Sequence, residues 1–136
     1  ALHYAATRAA KTGGGVEVLA IITPQDQTHW LGVAEKMREE ARETIQENFQ
    51  IYSNWMKDEL KLEAELVIRE GEKATEVLNQ ISEDKEVGVL VLGANNSSEG
   101  PGPLISQLVS RDGGNLPIPV TIVPGSMTKE RIEAVS

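Results

Sequence analysis

An α/β domain built on a doubly wound parallel sheet is the fold class this sequence predicts, and three observations predict it. Two short apolar runs, Val16–Ile22 and Val87–Leu92, carry the branched residues of strands buried on both faces. Amphipathic stretches with apolar residues every three or four positions separate them, so strand and helix alternate along the chain. The 136 residues, 40% hydrophobic and 25% charged, suffice for one core and argue against a second domain.

The elements follow in order. Residues 1–12 set Leu2, Ala5, Ala6 and Ala9 at helical spacing and then meet Gly13, Gly14 and Gly15, which predicts a helix and its stop. Val16–Ile22 reads as a buried strand closed by Thr23-Pro24. From about Leu31 to Leu60 the stripe through Ala34, Met37, Ala41, Ile45, Phe49, Tyr52, Trp55 and Met56 predicts one long amphipathic helix, with these side chains as core. Leu62–Ile68 alternates apolar and acidic residues before Arg69-Glu70-Gly71, as a strand at a sheet edge would. Ala74, Val77, Leu78 and Ile81 line the inner face of another helix, and Val87–Leu92 is a strand ending at Gly93. After a loop from Gly93 to Gly102, Pro103–Val109 reads as a helix with proline in its first turn. Pro119–Val123 reads as the last strand, and Met127–Val135 as a short terminal helix. The domain is expected over 1–124, with 125–136 as a C-terminal tail.

Crossovers of one hand in such a sheet put any ligand beyond the carboxyl ends of the strands, here at residues 22–30 and 93–107. Doubly wound domains open with a central strand, whereas this chain opens with a helix. A first strand preceding Ala1 is therefore expected to be missing, with a gap in the middle of the sheet as the consequence.

Composition excludes several functions. With 13 Lys and Arg against 21 Asp and Glu, a net charge of -8 repels a polyanion, so nucleic acid is not an expected partner. The absence of cysteine removes disulfides, thiolate nucleophiles and thiolate metal sites, and fits the cytoplasm. No apolar stretch approaches the roughly 18 residues of a membrane span. His3 has no second His or Cys at ligand spacing, so no metal site is expected. His29 and Trp30 stand before the long helix, where a hydrophobic staple explains them more simply than a base-stacking pocket does. No G-x-S-x-G turn occurs, and Glu39, Glu40, Glu43, Glu47, Asp58 and Glu59 read as a solvated face, so no catalytic residue is assigned.

Taken in order, Val16–Ile22, Arg69-Glu70-Gly71, Val89–Gly93 and Pro119–Pro124 resemble the universal stress protein pattern, including the 27 positions from Gly93 through Pro119. The resemblance implies a Rossmann-like, adenine nucleotide alpha hydrolase-like parallel sheet with strand order 3-2-1-4-5, of which the first strand is missing here, and pairing of two copies through the last strand. Nucleotide-binding members carry G-x-x-G-x9-G-[ST], which falls here on Gly93, Asn96, Ser106 and Gln107, so that only the first glycine is present. Their ribose-binding acidic residue ends the first strand, ahead of Ala1. Glycines in such a loop let backbone N–H groups approach phosphates. Pro101 and Pro103 supply no N–H, Glu99 adds negative charge, and no Lys or Arg occurs between Gly93 and Arg111.

The expectation is a homodimeric binding or regulatory module of the stress response, with weak or no adenine-nucleotide binding and no required cofactor. Were ATP or AMP to bind, the base would lie against Ile21, Ile22 and Leu92, and the phosphates would meet Gly93, Asn96, Ser106 and Gln107. The dimer contact would use Val120, Thr121, Ile122 and Val123. An adenylate-handling enzyme is the alternative and would need a basic clamp from Arg8, Lys11 or Arg111; a purely partner-binding module is the third reading.

Overall fold

The computed structural model describes residues 1–23, 31–95, 100–111 and 116–136. Its elements are α1 (Leu2–Thr12), β1 (Val16–Ile22), α2 (Leu31–Leu60), β2 (Ala64–Glu70), α3 (Lys73–Glu83), β3 (Leu90–Ala94), α4 (Pro103–Ser106) running into a π-helical turn (Gln107–Arg111), β4 (Val120–Pro124) and α5 (Lys129–Val135). Local chemistry sets several ends. Glu72 caps α3 by accepting hydrogen bonds from the N–H groups of Ala74 and Thr75, and the Thr128 hydroxyl caps α5 by accepting from Arg131 N–H at 3.2 Å.

β1 runs parallel to β2, with Val16 opposite Ala64 and Ile22 opposite Glu70. β3 runs parallel to β4, with Leu90 opposite Val120 and Ala94 opposite Pro124. Among the described residues no ladder joins β1 to β3, so the sheet is in two halves, β2-β1 and β3-β4. A cleft of about 920 Å³ lies between them, lined by Val16 to Leu19 on one side and Val87 to Val89, Val91 and Thr121 on the other.

Helices cover both faces. Val16 packs with Ala6 and Ala9 of α1 and Met56 of α2, joined at the margin by Val18. Leu19 and Ile21 turn the opposite way, against a core of Ala74, Val77, Ile81, Leu92, Ile105 and Leu108 from α3, β3, α4 and the π turn. Such two-sided burial is what makes β1 apolar at both parities, and it is the doubly wound arrangement expected from the alternation. α5 lies on α1, where Lys11 Nζ donates to the Glu133 carbonyl at 3.2 Å. His3 stacks on Trp55 with ring centroids 4.9 Å apart, which accounts for it as a packed helix residue.

Several boundaries differ from those read in the sequence, β4 and α5 by only one or two residues. β2 starts at Ala64 rather than Leu62, because α2 ends in a wrap that turns Leu62 N–H back to the Met56 carbonyl at 3.1 Å, with Lys61 at a φ of 57°. β3 starts at Leu90 rather than Val87. Val87 N–H is held by the Asp84 carbonyl at 3.4 Å, and Val89 is half exposed, so pairing begins only where β4 arrives. The helix expected over Pro103–Val109 changes to a π turn after Ser106, which leaves Leu108 fully buried and Val109 half exposed.

Candidate functional site

The carboxyl ends of β1 and β3 and the start of α4 form the region where a doubly wound sheet binds ligands. Ile21 packs into the α3 core, and the Ile22 carbonyl accepts the Gly71 N–H at 3.0 Å, tying the ends of β1 and β2 together. Leu92 is 9% exposed and sits among Ile105 and Leu108, as core rather than as an open platform. Gly93 is exposed, and a Cβ there would stand 3.3 Å from the Cβ of Ala1. Asn96, His29 and Trp30 lie outside the described residues.

The loop after β3 closes on itself: Asn95 N–H donates to the Pro101 carbonyl at 3.0 Å. Gly102 follows at a φ of +111°, a conformation that favours glycine, and a Cβ there would meet the Asn95 amide nitrogen at 3.2 Å. α4 then begins with Pro103, which has no N–H. Ser106 N–H donates to the Gly102 carbonyl at 3.1 Å, and Gln107 N–H to the carbonyls of Leu104 and Pro103. The backbone amides at both of these predicted phosphate positions are thus already used, although the two side chains are exposed. Only the N–H groups of Leu104 and Ile105 remain without acceptors from within the helix.

Two of the cations proposed for a clamp, Arg8 and Lys11, are carried away from this loop by α1. α1 starts beside Gly93 and runs back to the amino end of β1; at 1.5 Å per residue Arg8 stands about 10 Å and Lys11 about 15 Å along it from Ala1. Lys11 is engaged by α5.

A polar network that the sequence reading did not pick out lies between β2 and α3. Arg69 donates from Nε to Glu76 Oε1 at 2.9 Å, and from Nη1 to Gln80 Oε1 at 2.9 Å and Glu83 Oε2 at 2.7 Å. Gln80 passes the chain on to Glu17 Oε1 at 2.9 Å. The Arg69 hydrogen bond holds the Glu83 carboxyl below its ordinary value, while burial, then the Asp84 carboxyl beside it, push Glu17 up. Each of these donors has a protein acceptor, so the network fastens α3 to the sheet. Its sequence signal was an arginine late in a strand followed by acids seven and fourteen residues on.

Of the residues expected at a dimer contact, Val123 is 3% exposed, Val120 packs on the α3 core and Thr121 lines the cleft. Ile122, at 41% exposure, is the one large apolar side chain of β4 that faces outward.

Together these features define a Rossmann-like α/β domain with parallel strands and helices on both faces. No family profile and no characterised protein sequence matches the chain. Among solved structures, the universal stress protein UspA from Lactobacillus plantarum superposes with a TM-score of 0.73 at 13% identity, covering 88% of this chain and 83% of that one. The chain has the UspA-like fold, the one its residue pattern resembles.

Proposed function

We propose that this chain is a universal stress protein-type regulatory module of the cytoplasm that works by binding, as a homodimer, with weak or no affinity for adenine nucleotides. One observation carries the reading: on a UspA-like fold, the backbone amides of Ser106 and Gln107 are consumed by the helix, and proline occupies its first position. A triphosphate would find two backbone donors and no described cation beside them, against charge-assisted contacts that ordinarily supply much of phosphate affinity.

The test is to denature the purified protein, examine the released material by ultraviolet absorbance and mass spectrometry, and titrate the native protein with ATP and magnesium by calorimetry. Absence of released nucleotide and a weak or silent titration are expected. Stoichiometric co-purified nucleotide would overturn the proposal, and steady ATP hydrolysis abolished by Ser106→Ala would replace it with an enzyme.

A further inference from the structure

The carboxyl groups of Glu17 and Asp84 meet where the amino end of β1 passes the carboxyl end of α3. Asp84 is the C-cap of α3, and the last turn of that helix holds no basic residue, so the negative helix end and the Asp84 charge add to one another. Glu17 lies directly opposite Glu65 in the β1–β2 ladder. Glu17 and Asp84 are both half-buried and share a lining with Glu63, Glu65 and Glu86, in which Arg8 is the one basic side chain. The neighbouring Lys85 is exposed. Arg69 does not neutralise the pair, because its guanidinium is committed to Glu76, Glu83 and Gln80 Oε1.

Each of the two carboxyls has one oxygen occupied. Gln80 Nε2 donates to Glu17 Oε1 at 2.9 Å, with the orientation of that amide set by Arg69, and Glu86 N–H donates to Asp84 Oδ1 at 3.1 Å. Among the described residues no donor serves Glu17 Oε2 or Asp84 Oδ2. An ionised carboxylate only accepts, so two of them in contact need a proton between them.

We propose that Glu17 and Asp84 share one proton, and that this proton fastens the carboxyl end of α3 and the turn leading to β3 onto β1. The turn belongs to the device because Asp84 holds it twice, through Oδ1 to Glu86 N–H and through its carbonyl to Val87 N–H at 3.4 Å. With the proton in place the contact is a carboxyl–carboxylate hydrogen bond; without it, like charges face one another beside a helix C-terminus and the contact opens. Burial first, then the Asp84 carboxyl, holds Glu17 above its ordinary value of 4.5. A group that binds its proton more tightly folded than unfolded adds stability that is complete below the unfolded value and lost as pH rises through the folded one. The clasp is therefore closed in acid and released toward neutral pH.

Carbon-13 NMR of the side-chain carboxyls, with amide exchange over the same pH range, tests this. Asp84→Asn keeps an oxygen for Glu86 N–H and offers Glu17 an amide donor in place of the proton, so the Glu17 titration should move down toward the ordinary range. Glu65→Gln removes only a like charge across the ladder and should move it less. In the unchanged chain, exchange at the Glu86 and Val87 amides, corrected for its intrinsic pH dependence, should speed about threefold or more between about pH 5 and pH 8. Glu17→Gln and Asp84→Asn should each keep the turn slow at both ends of that range, and the double variant should gain nothing further, since one donor suffices. Glu17→Ala, which has no partner to offer, should exchange at the fast rate throughout. A Glu17 titration that Asp84→Asn leaves in place would assign the rise to burial alone and overturn the proposal. So would turn amides whose corrected exchange is flat across the range in the unchanged chain.

Discussion

Leu108→Ala tests whether the region around the candidate site is held by core packing. Leu108 is fully buried in the π turn and belongs to the same cluster as Leu92 of β3, Ile105 of α4 and Val77 of α3. Truncation removes three buried carbons and leaves a cavity that two strands and two helical segments cannot easily close. The cost is about 3 to 4 kcal/mol, in the range of buried leucine truncations. For a chain of this length that is a fall of roughly 10 to 15 °C in melting midpoint. Val109 is its control: adjacent in sequence but 49% exposed, so Val109→Ala should cost less than about 1 kcal/mol. Thermal unfolding by circular dichroism measures both. Amide exchange adds a local readout, since loosening the β3–α4 unit should speed exchange at Asn95 and Ser106, whose N–H groups hold the loop neck and first turn. Comparable losses in the two variants would refute the reasoning, because the π turn would then not be what points Leu108 inward.

Three further outcomes are expected. Glu17→Gln should raise the melting midpoint at pH 7, with the gain shrinking as pH falls toward 4.5. The folded Glu17 value lies above the unfolded one, so its burden is felt at high pH and disappears on protonation. Glu83 has the opposite sign, its stabilisation being present above 4.5 and lost on acidification, so a midpoint difference that grows at low pH would contradict the assignment to Glu17. Gly71→Ala should destabilise by roughly 1 to 3 kcal/mol in denaturant unfolding, because Gly71 has a φ of +149° and an added Cβ would meet Glu76 Cγ at 2.8 Å. On the proposed pairing of two copies through β4, Ile122→Lys should lower the mass measured by light scattering from that of a dimer to that of a monomer, because Ile122 is the exposed apolar side chain of that strand; an unchanged mass would count against the pairing.

The elements were legible in the sequence where burial imposes a single period. Val16–Ile22 is apolar at both parities because helices lie on both faces, and its observed ends agree with the residues that predict them. Val87–Leu92 was misplaced by three residues because hydrophobicity marks burial or cleft lining alike, whereas a strand begins where a partner begins, and β4 starts opposite Leu90. The π turn had no signal in composition, since one inserted residue changes which side chains face inward without changing the residue types. At the candidate site, the proline and glycine positions were readable, but the consumption of the Ser106 and Gln107 amides was not, because main-chain accounting depends on where the helix starts. Arg69 was seen only as part of a short pattern, since its acceptors are brought to it by the packing of α3 on β2.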